Sequence, residues 1–189
     1  MDYKNVTLNS IDPLTRLLIE KDIQYWDKFV EYLRDIPYGR NSDRTKFSLI
    51  ITENKGTCSS KHALAKEIAD LNSIENIKLI LAIYKMNESN TPGIGTYISN
   101  NQLDYIPEAH CYLNINGQRI DLTNPDSDII RIKNDILSET EINPDQVGQY
   151  KVKYHMHYIQ SWIVDHKIKL SFDKVWAIRE SCIASLSNN

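Results

Sequence analysis

Gly56-Thr57-Cys58-Ser59-Ser60-Lys61-His62 runs straight into Ala63-Leu64-Ala65-Lys66-Glu67-Ile68-Ala69, and these residue types at this spacing can make a nucleophile. The glycine and the small hydroxyl residue break the preceding segment and allow a sharp turn. The helix-forming run that follows sets Cys58 at or near a helix N-terminus. There the unsatisfied N–H groups and the positive end of the helix dipole favour thiolate over thiol. A thiol of pKa about 8.5 falls to roughly 3.5–7.5 in such a setting and is then largely ionised at ambient pH. A small buried apolar residue at a helix start fits the position equally well. Partners elsewhere in the chain have to decide.

The second informative stretch is Glu108-Ala109-His110-Cys111-Tyr112-Leu113-Asn114-Ile115-Asn116-Gly117-Gln118-Arg119-Ile120-Asp121-Leu122-Thr123. Asn-Gly between two alternating runs predicts a hairpin with a two-residue type I′ turn. That turn pairs Ile115 with Gln118, Leu113 with Ile120, Tyr112 with Asp121 and His110 with Thr123. One face then receives Cys111, Leu113, Ile115, Ile120 and Leu122; the other receives His110, Tyr112, Asn114, Arg119, Asp121 and Thr123. The register is self-consistent. His110 and Asp121 become diagonal neighbours, roughly 7 to 8 Å apart at the backbone, a gap that side chains can bridge. A carboxylate there would fix the imidazole's tautomer and leave its other nitrogen for a thiol. An exposed His and Asp on a hairpin need no special account, but in order after Cys58 they point to nucleophilic catalysis.

The elements that must position these groups are read from periodicity. Asp12-Pro13 opens a short helix through Leu14, Leu17, Leu18 and Ile19. Asp22 caps a second, with Ile23, Trp26, Phe29, Val30 and Leu33 on one face, ended by Pro37. Phe47 to Ile51 reads as a short strand after a polar loop. The Cys58 helix buries Ala63, Leu64, Ile68 and Leu71 and stops near Asn72-Ser73. Ile77 to Met86 is a buried strand, Asn87 to Gly95 a turn-rich loop, and Tyr97 to Leu103 a weak segment. Asp126 to Gln149 is polar and acidic, and the alternating run Tyr150 to Val164 predicts one or two strands. Ser171 caps a last helix with Phe172, Val175, Trp176, Ile183 and Leu186 in one stripe and Cys182 beside it.

The 189 residues, 41% hydrophobic and 25% charged, suit one domain over residues 1–189. A net charge of -3 gives no electrostatic footprint for nucleic acid, and no apolar run reaches the roughly 18 residues that span a bilayer. Met-Asp-Tyr-Lys-Asn is not of signal-peptide type. The expectation is a cytoplasmic protein with no nucleic-acid or membrane partner; the sequence leaves its oligomeric state open. Three separated cysteines, Cys58, Cys111 and Cys182, predict reduced thiols rather than a disulfide framework, so the sequon Asn5-Val6-Thr7 carries no meaning.

Gly56-x-Cys58 opening a helix with Ala63-Leu64 behind it, His110-x-Tyr112, and Asn116-Gly117 leading to Asp121-x-Thr123 together resemble the transglutaminase-like branch of the papain-fold cysteine enzymes. The likeness covers about residues 50 to 126 and lies in the ordered set of three segments. It implies an α+β fold in which the Cys-bearing helix packs on an antiparallel sheet, with flanking N- and C-terminal helices. It also implies Cys58 as nucleophile, His110 as general base and acid, and Asp121 as orienting group. Such enzymes cleave or exchange amide bonds through a thioester; the expectation for this chain is a peptide, protein or small amide substrate, with no cofactor and no metal. Tyr112 stands where Trp is common, Arg119-Ile120 lacks a Trp, and Ile77 to Tyr84 lacks the usual Arg and Gly; these departures bear on the substrate pocket.

The oxyanion would meet the Cys58 N–H and one further donor, whose loss typically costs on the order of 3 kcal/mol of barrier. Tyr38 and Asn41, with Thr57 and Tyr112, are the candidates for oxyanion or substrate contact. The competing reading is a non-catalytic binding module that retains the fold. A metal site from Cys58, His62, His110 and Cys111 fails on strand parity, and His155 with His157 would lack a third ligand. His62, in the first helical turn, reads as solvent-facing or as a neighbour of the thiolate.

Overall fold

The computed structural model describes residues 6–186; the Met-Asp-Tyr-Lys-Asn segment, with the first residue of the sequon, lies outside them. The helices are α1 (Pro13–Ile19), α2 (Trp26–Asp35), α3 (Ser48–Thr52), α4 (Cys58–Leu71), α5 (Gly95–Ser99), α6 (Gln149–Asp165) and α7 (Phe172–Leu186). The strands are β1 (Ile77–Met86), β2 (Ile106–Ile115), β3 (Gln118–Ile120) and β4 (Ile136–Ile142). Among the described residues this is an α+β fold with one antiparallel sheet, in the order β3-β2-β1-β4. No described helix is long and apolar enough to cross a membrane.

The chain forms two compact units, each drawn from three separate segments. One takes the chain up to Leu81 with Cys111–Ile129 and Thr140–Gly148; the other takes Ala82–His110, Ile130–Glu139 and the chain from Gln149. The division passes within β1, β2 and β4.

In the first unit α4 is the centre, contacted by α1, α2, α3 and the 3-10 turn Pro144–Val147. Every residue from Cys58 to Ala65 is buried, so the helix is enclosed on all sides through its first two turns. α1 starts as expected, with the Asp12 carboxylate accepting from the Leu14 and Thr15 amides at 2.8 and 2.9 Å. α2 starts later than Asp22 predicts. Asp22 has a left-handed φ of 62°, and Tyr25 forms an antiparallel bridge with Thr7. The Trp26 amide is bonded to Val6 O, so the backbone ahead of Trp26 is extended and paired. Phe47 to Ile51, expected as a strand, is instead the one-turn helix α3; a short apolar run does not distinguish the two. The hairpin turn is as expected, with φ of 51° at Asn116 and 84° at Gly117. Its ladder pairs Leu113 with Ile120, Asn114 with Arg119 and Ile115 with Gln118.

In the second unit α7 packs against α5 and α6. The run Tyr150 to Val164 is the 17-residue helix α6, not strands. His155, Ile159 and Trp162 are its buried residues, at the i, i+4, i+7 spacing of one helical face, while the alternation of Val152, Tyr154, Met156 and Tyr158 is incidental. α7 begins as predicted, the Lys174 amide donating to Ser171 Oγ at 3.3 Å. Arg179 of α7 grips Glu108 of β2 with Nε–Oε2 of 2.6 Å and Nη2–Oε1 of 2.5 Å, a fork-to-fork pair inside the unit. Burial alone would push the Glu108 carboxyl up; the Arg179 and His155 charges with the Arg179 hydrogen bond hold it below its ordinary value. β4 was not read from the polar, acidic stretch that holds it. It is an edge strand, where charged residues are the normal composition, and its Glu141 pairs with Lys78 of β1 at 2.8 Å.

Candidate active site

Cys58 is the first residue of α4, and Thr57 is its N-cap. The Ser60 amide donates to Thr57 Oγ1 at 3.3 Å, and the Thr57 amide donates to Ser60 Oγ at 2.9 Å. This closes a capping box whose cap is worth about 1 kcal/mol. The helix start is therefore fixed, and its positive end is at Cys58. Ser59 Oγ stands 3.7 Å from Cys58 Sγ, within reach of a hydroxyl-to-sulfur hydrogen bond. Upstream, Tyr38 and Gly56 form a parallel bridge, with Gly39 N to Gly56 O at 3.1 Å and Gly56 N to Pro37 O at 3.0 Å. Gly56 does not have the positive φ that would demand glycine. A Cβ on it would lie 2.9 Å from Lys61 Cγ and 3.3 Å from Ile50 Cγ2, so glycine is there for room.

The next two helix residues turn inward. Lys61, with 0% of its surface exposed, sends Nζ to the carbonyl oxygens of Thr123 at 2.7 Å, Arg34 at 3.3 Å and Ile36. Three carbonyls match the three donors of an ammonium. Burial pushes its pKa down to about 8, against the pull of the Asp121 and Asp35 carboxylates. His62 is also fully buried. Nδ1 is 2.6 Å from Cys58 O, and Nε2 is 2.7 Å from the Leu122 amide nitrogen. A carbonyl only accepts and an amide only donates, so His62 is the neutral tautomer with its proton on Nδ1. Asp121 Oδ1 lies 3.6 Å from Nε2, too far for a hydrogen bond and facing an uncharged ring.

These bonds explain where β3 ends. Antiparallel pairing through Tyr112–Asp121 and His110–Thr123 was expected, but β3 stops at Ile120. The Leu122 amide goes to His62, and the Thr123 carbonyl goes to Lys61. Asp121 Oδ1 accepts from the Thr123 amide at 2.9 Å and its hydroxyl at 2.6 Å. Backbone groups that a longer ladder would use are thus held by α4 and by a local Asx turn. Asp121 stands one imidazole ring away from the Cys58 carbonyl.

No protein-family model, curated protein or solved structure matches the chain.

Cys58, Thr57, Tyr38, Asn41, Tyr112 and Asp121 belong to the first unit. Within it, Thr57 caps the Cys58 helix, Tyr38 runs beside Gly56, and Asp121 sits against His62. Asn41 holds its loop closed: Nδ2 donates to Lys55 O at 2.8 Å, Glu53 Oε2 at 3.1 Å and Leu49 O at 3.3 Å. Its Oδ1 is 3.5 Å from Ser60 Oγ. Tyr112 was placed on a polar face; it is fully buried, as are Cys111 and Leu113 on either side, because β2 is an inner strand covered on both faces. His110 belongs to the second unit. It is half-buried, with its ring edge-on to Tyr84 at a centroid distance of 6.3 Å.

Sequence reasoning missed Lys61 and took His62 for a surface or flanking residue. A signal was present: a lysine in the first turn of a helix that has no acidic residue there opposes the helix dipole, which is unusual unless something else holds it. In the second unit, His155 Nε2 donates to Pro107 O at 2.7 Å, and His157, two residues on along a helix, is exposed. The paired-strand geometry considered for these two is absent. An open depression of ≈ 630 Å³ in that unit is lined by Glu88, Thr96, Ser99, Leu103 and Asp104 among others. Glu88 is occupied there, accepting from the Gly93, Ile94 and Gly95 amides.

Proposed function

We propose that this protein is a thiol-dependent acyl-transfer enzyme of transglutaminase-like, papain-fold type. It is an amide hydrolase, peptidase or transferase that works through a thioester. Cys58 is the nucleophile, His110 the general base and acid, and Asp121 the group that orients the base. The observation that carries the reading is the Cys58 turn itself: a cysteine at the first position of a capped 14-residue helix, with the Asp121 segment pinned to that same turn. A general base takes the thiol proton, the thiolate sulfur attacks an amide carbonyl carbon, and the C–N bond breaks as the protonated base gives its proton to the leaving amine. Water or a second amine then attacks the thioester and releases the thiol. The Cys58 N–H meets the oxyanion, with Tyr38 as second donor from the strand beside Gly56. The substrate is a peptide, protein or small amide, and three cysteines outside any disulfide suit the cytoplasm.

One observation favours the non-catalytic module: Asp121 Oδ1 already serves both Thr123 donors, a duty that needs no chemistry. Iodoacetamide alkylation of Cys58 followed against pH separates the two. An enzyme gives an apparent thiol pKa well below about 8.5 that rises toward it in His110→Ala. Titration near that ordinary value in both proteins removes the acyl-transfer reading. A Cys58→Ala protein that keeps its cellular task supports the module.

A further inference from the structure

We infer that Lys61 is a positioning residue: its buried ammonium, with the His62 imidazole beside it, sets where Asp121 stands relative to Cys58. The inference rests on the acyl-transfer reading and adds a residue to it. The chain from Asp121 to Thr123 is the part of the hairpin that leaves the ladder, since β3 ends at Ile120. Strand pairing therefore no longer fixes it. What fixes it is α4. The Thr123 carbonyl is held by Lys61 Nζ at 2.7 Å, and the Leu122 amide is held by His62 Nε2 at 2.7 Å.

Both anchors are fully buried and lie within one turn of Cys58. The same His62 ring bonds back to the Cys58 carbonyl at 2.6 Å. The other two Lys61 acceptors, Arg34 O and Ile36 O, belong to the end of α2 and its C-cap, which leads into the Tyr38–Gly56 bridge. One ammonium thus ties two backbone segments to the Cys58 turn: the end of α2, which leads into the Tyr38–Gly56 bridge, and the Asp121 strand end. The room for it is reserved by Gly56, where a Cβ would strike the Lys61 chain. A lysine that served only the surface would need none of this.

The test uses the full chain as Lys61→Met, which keeps the length and removes the donors. His62→Gln, which keeps an acceptor for the Leu122 amide, is a second variant should the first fail to fold. Two quantities are read: hydrogen exchange at the Leu122 and Thr123 amides, and the pH profile of Cys58 alkylation. In folded Lys61→Met, exchange at those amides rises about tenfold or more, and the alkylation profile moves toward that of an ordinary thiol. In His62→Gln the Leu122 amide stays the better protected of the two. Unchanged exchange in a folded variant overturns the inference. So does an unchanged alkylation profile in Lys61→Met when His110→Ala shifts it. A wild-type thiol that titrates near 8.5 regardless of His110 overturns the acyl-transfer reading instead, and exchange alone then decides whether Lys61 holds the segment.

Discussion

At the residue scale the first unit turns on a contact between the smallest side chain and one of the longest. Gly56 lets the Lys61 stem pass at a distance no Cβ tolerates, and the stem delivers a charge to three backbone carbonyls. Gly56→Ala is expected to destabilise the protein by about 1–3 kcal/mol, the usual range for overpacking a filled site, measured as a lower midpoint in denaturant. The neighbour in contact is the stem near its root rather than its free end, so little can give way. The sequence showed a glycine before the cysteine and suggested a turn; it did not show that the glycine serves a lysine five positions on. That relation exists only once the helix is built and enclosed, because a lysine in an exposed first turn and one in a buried first turn have the same sequence.

At the element scale, what was legible was what periodicity or turn chemistry specifies. β1, α1, the Asn116-Gly117 turn with its register, and the start of α7 were each readable for that reason. α3 was not, being a single turn of apolar residues. α6 was not, because a 2-residue alternation of Tyr, Met and Val overlay the four-then-three spacing of His155, Ile159 and Trp162. β4 was not, because its edge position lets it be acidic. The candidate site was legible to a similar degree: the Cys58 helix start is where the glycine placed it, while the fate of Asp121 depended on bonds from α4 that no strand pattern reports.

The β2–α7 contact carries its own prediction. Removing the Glu108 charge leaves Arg179 buried without its fork partner, so Glu108→Gln is expected to cost about 3 kcal/mol or more in chemical unfolding. The sign with pH follows from the lowered carboxyl. Its contribution is fully present above the ordinary Glu value of 4.5 and is lost as pH falls through the lower folded value. The wild-type unfolding midpoint should therefore drop on acidification more steeply than that of Glu108→Gln. Parallel acid limbs for the two would show that the pair adds no pH-dependent stability.

At the scale of the whole molecule, each unit is closed by segments far apart in sequence. Lys61 reaches Thr123 across 62 residues and Glu108 meets Arg179 across 71. Contacts of that span carry a loop-closure cost before they reward the chain, which favours slow, late formation of both units over stepwise growth from the N-terminus. It also means that the polar centre around α4 exists only in the finished protein.

An amine kept from water by three carbonyls has a practical consequence. Acylating reagents such as an N-hydroxysuccinimide ester reach the surface lysines in the native state, but Lys61 is the buried lysine among the described residues and reacts only when the chain opens. Mass-spectrometric footprinting should find Lys61 unlabelled until denaturant or a packing variant such as Gly56→Ala exposes it. The chain thus carries its own covalent reporter of whether its centre is closed.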